Sequence, residues 1–366
     1  MKKILFITNN LQNSDGVAIC LKNLINILSD TYEIYLLNLY RYEENFTTSI
    51  SNTVTMYNCF KFYIKGLRSI TNKLLKLLLK HKCFELEYDF VVSYQNGTPS
   101  VLIDYMRKNH YQSQATFIGF IHGFNAKQLT FYNKLDAIIC ISNDGKILAQ
   151  KYISNSFKGK IKHIRNIYNI DEIITKSELQ ENIIPTLNIQ GKKVFCIVSR
   201  LSPEKGVERF VEALIQVKKW DSDIMGIIVG NGRLFNHIKK IIINNKATDY
   251  IHMVGAQSNP YPFIKVSDFL CCTSFSEGLC TSCVEASILQ KAILSTNVCG
   301  ADEIVYNPNI GLVVDNNLES IYEGMVELLS MHFEDSNFEN AKKKWDSNST
   351  KQQYISFLES LKRQKR

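Results

Sequence analysis

An α/β fold built from two doubly wound parallel sheets is the architecture this sequence predicts, and three observations predict it. Short runs rich in Ile, Val and Phe alternate with longer amphipathic patterns along most of the chain. The alternation pauses over a polar stretch, 171–191, which holds Pro185 and Gly191 and is the best linker candidate. A length of 366 residues suits two domains, each able to bury its own core.

In the first half, strands are expected at 3–8, 33–38, 90–94, 116–122, 137–142 and 160–164, with helices at 17–29, 99–109 and 144–152. The opening MKKILFITNN lacks a long apolar core and a small-residue cleavage site, so it reads as the first strand. From 194 the order is strand 194–199, helix 206–219, strand 225–230, helix 233–244 and strand 250–254. Helix 261–266, strand 268–272, helix 281–290 and strand 292–296 follow. The expected domains are 1–180 and 186–340, with 341–366 a C-terminal helix packing back on the first. Two Rossmann-like domains in tandem would face a central cleft, lined by the loops at the carboxyl ends of both sheets. Ligands belong there.

Composition narrows the class. The chain is 45% apolar and 21% charged, without low-complexity tracts, as expected of a folded soluble protein. No apolar run approaches the roughly 20 residues that span a bilayer. Ten cysteines are scattered, mostly within apolar segments, which fits reduced thiols in a cytosol. Cys280 and Cys283 have the spacing of a metal or redox pair. No second pair with ligand spacing accompanies them, so no metal is assigned.

Charge is uneven. Residues 1–180 hold 22 lysines and arginines against 14 acids, whereas the remainder has 21 of each, so the net +8 belongs to the first half. Within it the segment 61–82 carries six lysines, one arginine and no acid, with an apolar face opposite. Such a basic amphipathic helix suits peripheral contact with an anionic membrane. The plainer alternative is a core-packed helix with a solvated lysine face. Nucleic acid is not expected, because aromatic or arginine-rich interleaving is missing.

The strand ends carry the chemistry. After strand 194–199 comes Arg200-Leu-Ser-Pro-Glu-Lys205-Gly206, and then a helix. Two cations beside a helix N-terminus make a site for a diphosphate. The next strand ends in Gly230-Asn-Gly232, where glycines would let the backbone approach a ligand. Phe235 stands where a dinucleotide fingerprint needs its third glycine. The stretch SFSEGLCTSCVEAS, 274–287, sets Glu277 in a loop and Glu285 in the following helix, with seven residues between them. Carboxylates of this kind suit vicinal hydroxyls of a sugar or ribose. The N–H groups of Gly278 and Leu279 would meet a phosphate at the helix start. For Glu285 the structural alternative is a capping box with Ser282. The residues alone say only that the ligand is polyhydroxylated and phosphorylated.

Taken together, Glu277 and Glu285, the upstream SRLSPEKG at 199–206 and the downstream ADEI and GLVVDN at 301–316 resemble the retaining GT-B glycosyltransferases of family GT4. The resemblance covers 193–325 well and the first half more loosely. It implies that Arg200 and Lys205 hold a nucleotide-sugar diphosphate, Glu285 the ribose and Glu277 the donor sugar near the reacting carbon. It aims His122, at the end of strand 116–122, at the donor sugar, and brings Gly16 towards the phosphates. The Gly16 loop has one glycine where many relatives have two. Asn166 and Asn169 stand where relatives carry an Asn-Pro-x-Asp turn between the domains. Cys280, replacing a residue often glycine or proline, would tune the donor pocket together with Thr281.

The resemblance implies a metal-independent enzyme without cofactors, since cations and helix-terminal N–H groups neutralise the leaving diphosphate. Retention through a carboxylate nucleophile and front-face attack both remain open. The implied function is transfer of a hexose or N-acetylhexosamine, most simply from a UDP-sugar, to a lipid-linked oligosaccharide or surface polysaccharide at the inner membrane face. A nucleotide-sugar epimerase or hydrolase, a non-catalytic nucleotide-binding subunit and, third, an NAD-dependent oxidoreductase are the alternatives.

Overall fold

The computed structural model describes residues 1–12, 15–40, 42–59, 72–123, 125–179 and 184–361. The chain divides into two compact units, Met1–Tyr168 with Ser347–Arg366, and Asn169–Asp346.

The first unit is built on β1 (Lys3–Thr8), β2 (Glu33–Asn38), β3 (Thr55–Asn58), β4 (Phe90–Ser93), β5 (Thr116–Ile121), β6 (Ala137–Cys140) and β7 (Lys160–His163). All pairs are parallel, in the order β3-β2-β1-β4-β5-β6-β7. The second unit has β8 (Lys193–Val198), β9 (Ile224–Val229), β10 (Ile251–Gly255), β11 (Phe269–Cys272), β12 (Ala292–Thr296) and β13 (Gly311–Val314). These are also parallel, ordered β10-β9-β8-β11-β12-β13. Both orders begin at a central strand, wind outward on one side, then restart on the other. The reversal leaves a crevice outside the carboxyl ends of the strands, between β1 and β4 in one unit and between β8 and β11 in the other.

The central strands are apolar and buried throughout, including β4, β5, β6, β9 and β12. Parallel strands covered by helices on both faces require this. Every strand expected from the sequence is present, its bounds shifted by two residues at most. Two further strands, β3 and β13, lie at sheet edges. The β3 sequence TMYN is half exposed, and β13 is four residues opening on glycine, so neither shows a buried apolar run.

The polar stretch expected as a linker is largely helical instead. Asn169 caps helix Ile170–Ser177 by accepting the N–H of Glu172 at 3.1 Å, and Asp171 and Glu172 lie in its positive first turn. Ile173 is buried, and the helix packs on helix Tyr261–Lys265 of the same unit. The unit boundary therefore falls at Tyr168–Asn169.

Of the basic segment 61–82, residues 61–71 lie outside those described. Its later part includes helix Asn72–Leu78, where Leu75 and Leu78 are buried in the first unit's core while Leu77 is 59% exposed. Over this portion the apolar face is spent internally. Among the described residues no helix is long and apolar enough to cross a membrane.

Candidate active site

In the second unit the β8 and β11 loops flank the point where the strand order reverses. Gly206 ends the first loop with φ 57°, and a Cβ there would come within 2.2 Å of the Thr273 carbonyl oxygen in the second. That close approach requires glycine. Thr273 Oγ1 donates to the Gly206 carbonyl at 2.9 Å, and the Phe275 N–H donates to that of Glu204 at 2.9 Å.

This stapling brings Lys205 onto Glu277. Lys205 Nζ lies 2.6 Å from Glu277 Oε1, which also accepts from Ser274 Oγ at 2.6 Å, with both charged side chains largely shielded. Burial pushes the Glu277 carboxyl above its ordinary range against the pull of Lys205. For Lys205, burial alone would lower the ammonium, but the Glu277 carboxylate and nearby thiols outweigh it and hold it above its usual value.

Beyond Glu277, the N–H groups of Gly278 and Leu279 have no hydrogen-bond acceptor among the described residues, although both residues are buried. They precede Cys280, the N-cap of helix Thr281–Ile288, which makes no side-chain capping bond. Unused donors at a helix start form an anion site in waiting. Thr281 is half-buried in the first turn.

The capping box expected as the alternative for Glu285 is absent. Ser282 lies inside the helix, 3.3 Å from Cys280 Sγ, and Glu285 points into the unit with 9% exposure. Its carboxyl accepts one long hydrogen bond, from the Tyr261 hydroxyl at 3.5 Å, and burial pushes it up to about 8.

Arg200 stands apart. Its side chain is 68% exposed and lies 3.7 Å from Glu204, without contact to Lys205, Glu277 or Glu285 among the described residues. Gly230 also has a local task. With φ 146°, its Cβ position would fall 1.8 Å from the Ser199 carbonyl oxygen, and its N–H donates to Gly255 at 2.8 Å. The β9 loop packs against the β8 loop through this glycine, so the space expected for a ligand at Gly230 is filled by Ser199.

In the first unit, Gly16 opens helix Gly16–Leu28. Its N-cap, Asp15, accepts the Val17 N–H at 3.0 Å and the Gln95 side-chain amide at 3.2 Å. Gln95 Oε1 in turn accepts from Thr8 Oγ1 at 2.9 Å and from the Asn9 N–H at 2.8 Å, joining the loops after β1 and β4. His122 follows β5, its ring 4.5 Å from that of Tyr94 and stacked on Phe120 at 5.7 Å. Both ring nitrogens are shielded, and the Tyr94 backbone supplies a weak hydrogen bond that only partly counters burial. Burial pushes the imidazole down to about 3, so it is neutral at physiological pH.

Residues 180–349 match the family described as Glycosyl transferases group 1. The second unit is where the chain resembles this family. Among relatives, an uncharacterized glycosyltransferase of Methanocaldococcus jannaschii is 25% identical over 206 residues, 56% of this chain and 49% of its own length. The UDP-Gal:alpha-D-GlcNAc-diphosphoundecaprenol alpha-1,3-galactosyltransferase of Escherichia coli is 26% identical over 204 residues, 52% and 50% of the two chains. The chain spans about half the length of the curated relatives it matches. Among solved structures, Anabaena HepE in complex with UDP and glucose superposes with TM-score 0.78 at 16% identity, covering 99% of this chain and 100% of that one. The fold is GT-B.

The motif residues Lys205 and Glu277, far apart in sequence, are joined directly. Three residues escaped the sequence reading. Arg209 is 8% exposed and donates to the Thr273 carbonyl and, at 2.8 Å, to Asn316 Oδ1, with its guanidinium 3.7 Å over the Phe275 ring. Its signal was an arginine among Val207, Phe210, Val211 and Leu214 on the buried face of helix Val207–Trp220. Gln95 and Cys272 carried no comparable signal. The partners of Gln95 end or follow a different strand, and those of Cys272 meet it only once the loop and helix after β11 fold back.

Proposed function

We propose that this chain transfers a hexose or N-acetylhexosamine, with retention at the anomeric carbon, from a UDP-sugar to a lipid-linked oligosaccharide or surface-polysaccharide acceptor. The observation that carries the reading is the shielded Lys205–Glu277 pair at 2.6 Å beside the unused N–H groups of Gly278 and Leu279. Cation and amides suit a diphosphate, and the carboxylate suits sugar hydroxyls. The E. coli relative is named for a UDP-Gal donor and a diphosphoundecaprenol-linked sugar, and HepE holds UDP and glucose, which supports the same classes here.

In this scheme Lys205 and the Gly278, Leu279 and Cys280 amides neutralise the diphosphate as the bond from the anomeric carbon to its oxygen breaks. The acceptor oxygen bonds that carbon, and its proton passes to the departing diphosphate. Glu277 orients the donor sugar, Glu285 receives the ribose hydroxyls, and Thr281 borders the sugar. Arg200 adds a solvent-side cation for the phosphates. In the first unit, His122 and Gly16 are the residues that the resemblance implicates. The basic segment 61–82 would hold the protein against anionic lipid, close to a lipid-linked acceptor.

Purified protein incubated with a panel of UDP-sugars and an undecaprenyl-diphosphate-linked sugar tests this. A glycosylated lipid is expected, with Lys205→Ala lowering kcat/KM by roughly a hundredfold, as loss of one charged transition-state contact does. Turnover of the donor without any acceptor dependence would make the protein a hydrolase instead.

A further inference from the structure

Three thiols that sugar transfer leaves unused converge beneath the loop carrying Glu277. Cys272 ends β11, Cys280 is the N-cap of helix Thr281–Ile288, and Cys283 lies in that helix's first turn. Their sulfurs all lie within 4.8 Å of one another, the one grouping of three potential metal ligands among the described residues. Cys272 and Cys283 are buried and Cys280 is half-exposed, so the cluster is closed except on one side. Thiolates around one ion at about 2.3 Å stand roughly 3.8 Å apart, so small side-chain rotations would complete such a shell.

Buried cysteines ordinarily act as small apolar fillers. Here they adjoin polar groups instead. Ser274 Oγ is 3.6 Å from Cys272 Sγ, and Ser282 Oγ is 3.3 Å from Cys280 Sγ. Ser274 also donates to Glu277, which pairs with Lys205, so Cys272 connects to a shielded cation through three hydrogen bonds. Three thiolates with a divalent ion carry one surplus negative charge, which the half-exposed side at Cys280 leaves open to solvent.

We propose that Cys272, Cys280 and Cys283 form a three-thiolate site for a thiophilic divalent ion of the zinc type. The ion bridges both ends of the 273–279 loop and so fixes Glu277 and the Gly278 and Leu279 amides. Oxygen-seeking ions such as Mg²⁺ do not suit this donor set, whereas soft thiolates select zinc and its heavier congeners. The half-exposed side at Cys280 leaves the fourth position to water. Binding releases the thiol protons to solvent, with no change of oxidation state.

The test needs no sugar. One equivalent of Cd²⁺ added to the reduced full-length protein should produce a thiolate-to-metal charge-transfer band, which a large excess of Zn²⁺ diminishes. Cys280→Ser should weaken Cd²⁺ binding roughly tenfold or more, while Cys59→Ser in the first unit leaves it unchanged. Within the wild-type protein, Zn²⁺ should protect Cys280 but not Cys59 from alkylation, both being half-buried. No band at stoichiometric Cd²⁺, an unchanged Cd²⁺ affinity in Cys280→Ser, or equal alkylation of Cys280 with and without Zn²⁺ would each overturn the proposal. Ready oxidation to a Cys280–Cys283 disulfide despite saturating Zn²⁺ would overturn it too, identifying a redox pair.

Discussion

At Glu285 a carboxyl group is held 9% exposed with one long hydrogen bond from Tyr261. Burial raises it from 4.5 to about 8. In the unfolded chain it ionises freely above its ordinary value, so the folded state loses stability as pH rises from about 4.5 to about 8. A residue kept at such a cost is consistent with a task in ligand binding. Glu285→Gln, neutral at every pH, should therefore be more stable than wild type at pH 7.5 by about 1–3 kcal/mol in urea unfolding. The same variant should bind UDP-sugar more weakly by calorimetry. Unchanged affinity would assign Glu285 to packing alone. His122 works in the opposite direction. Its imidazole is pushed down to about 3, so below 6.5 the unfolded chain takes up a proton that the folded one refuses. Stability then falls as pH drops from 6.5 towards 3, by up to about 1.4 kcal/mol per unit. Denaturant titrations of His122→Gln should show a visibly flatter slope over that window.

The loop between β11 and helix Thr281–Ile288 owes its shape to neighbours distant in sequence. Thr273 reaches Gly206, Thr296 Oγ1 donates to the Ser274 carbonyl at 2.7 Å, and the Asn316 side-chain amide donates to that of Phe275 at 3.3 Å. Arg209 gathers these contacts, bonding Thr273 and Asn316, 64 and 107 residues away. Arg209→Met keeps the bulk and removes the donors, leaving the buried Thr273 carbonyl unsatisfied. It should cost about 2–4 kcal/mol and lower kcat/KM more than that loss of folded protein explains. Stability and kinetics measured on one preparation separate the two effects. At the neighbouring turn, Gly230→Ala must move the Ser199 carbonyl, so it should destabilise by roughly 3 kcal/mol. Motif and turn residues were legible as types in both loops. Their anchors were not, because an arginine in an apolar helical stripe does not announce which carbonyl it will meet.

Chain order and unit membership part company at the C-terminus. Helix Asp335–Lys344 belongs to the second unit, whereas helix Ser347–Ser360 returns to the first. There Tyr354, Phe357 and Leu358 are buried, the Tyr354 hydroxyl donates to the Arg165 carbonyl at 3.1 Å, and Tyr32 donates to Glu359 at 2.9 Å. Removing residues from 347 onward should lower the stability of the first unit by roughly 5 kcal/mol, since three large side chains lose their burial. Calorimetry should show that unit's transition displaced and the second unit's unchanged. A single transition displaced as a whole would mean that the units unfold as one.

Strand periodicity, the apolar character of buried parallel strands and the charges at strand ends are local properties, so the sequence alone determined the two-sheet architecture and the candidate residues Arg200, Lys205, Glu277 and Glu285. Edge strands β3 and β13 escaped because an edge is only half covered and needs no continuous apolar run. Pairing was decided by the tertiary structure. It set Lys205 on Glu277, turned Arg200 towards solvent, buried Glu285 and closed Cys272 onto Cys280 and Cys283. Each depends on which loops a parallel sheet brings side by side, and strand order is a long-range choice that no window of sequence contains.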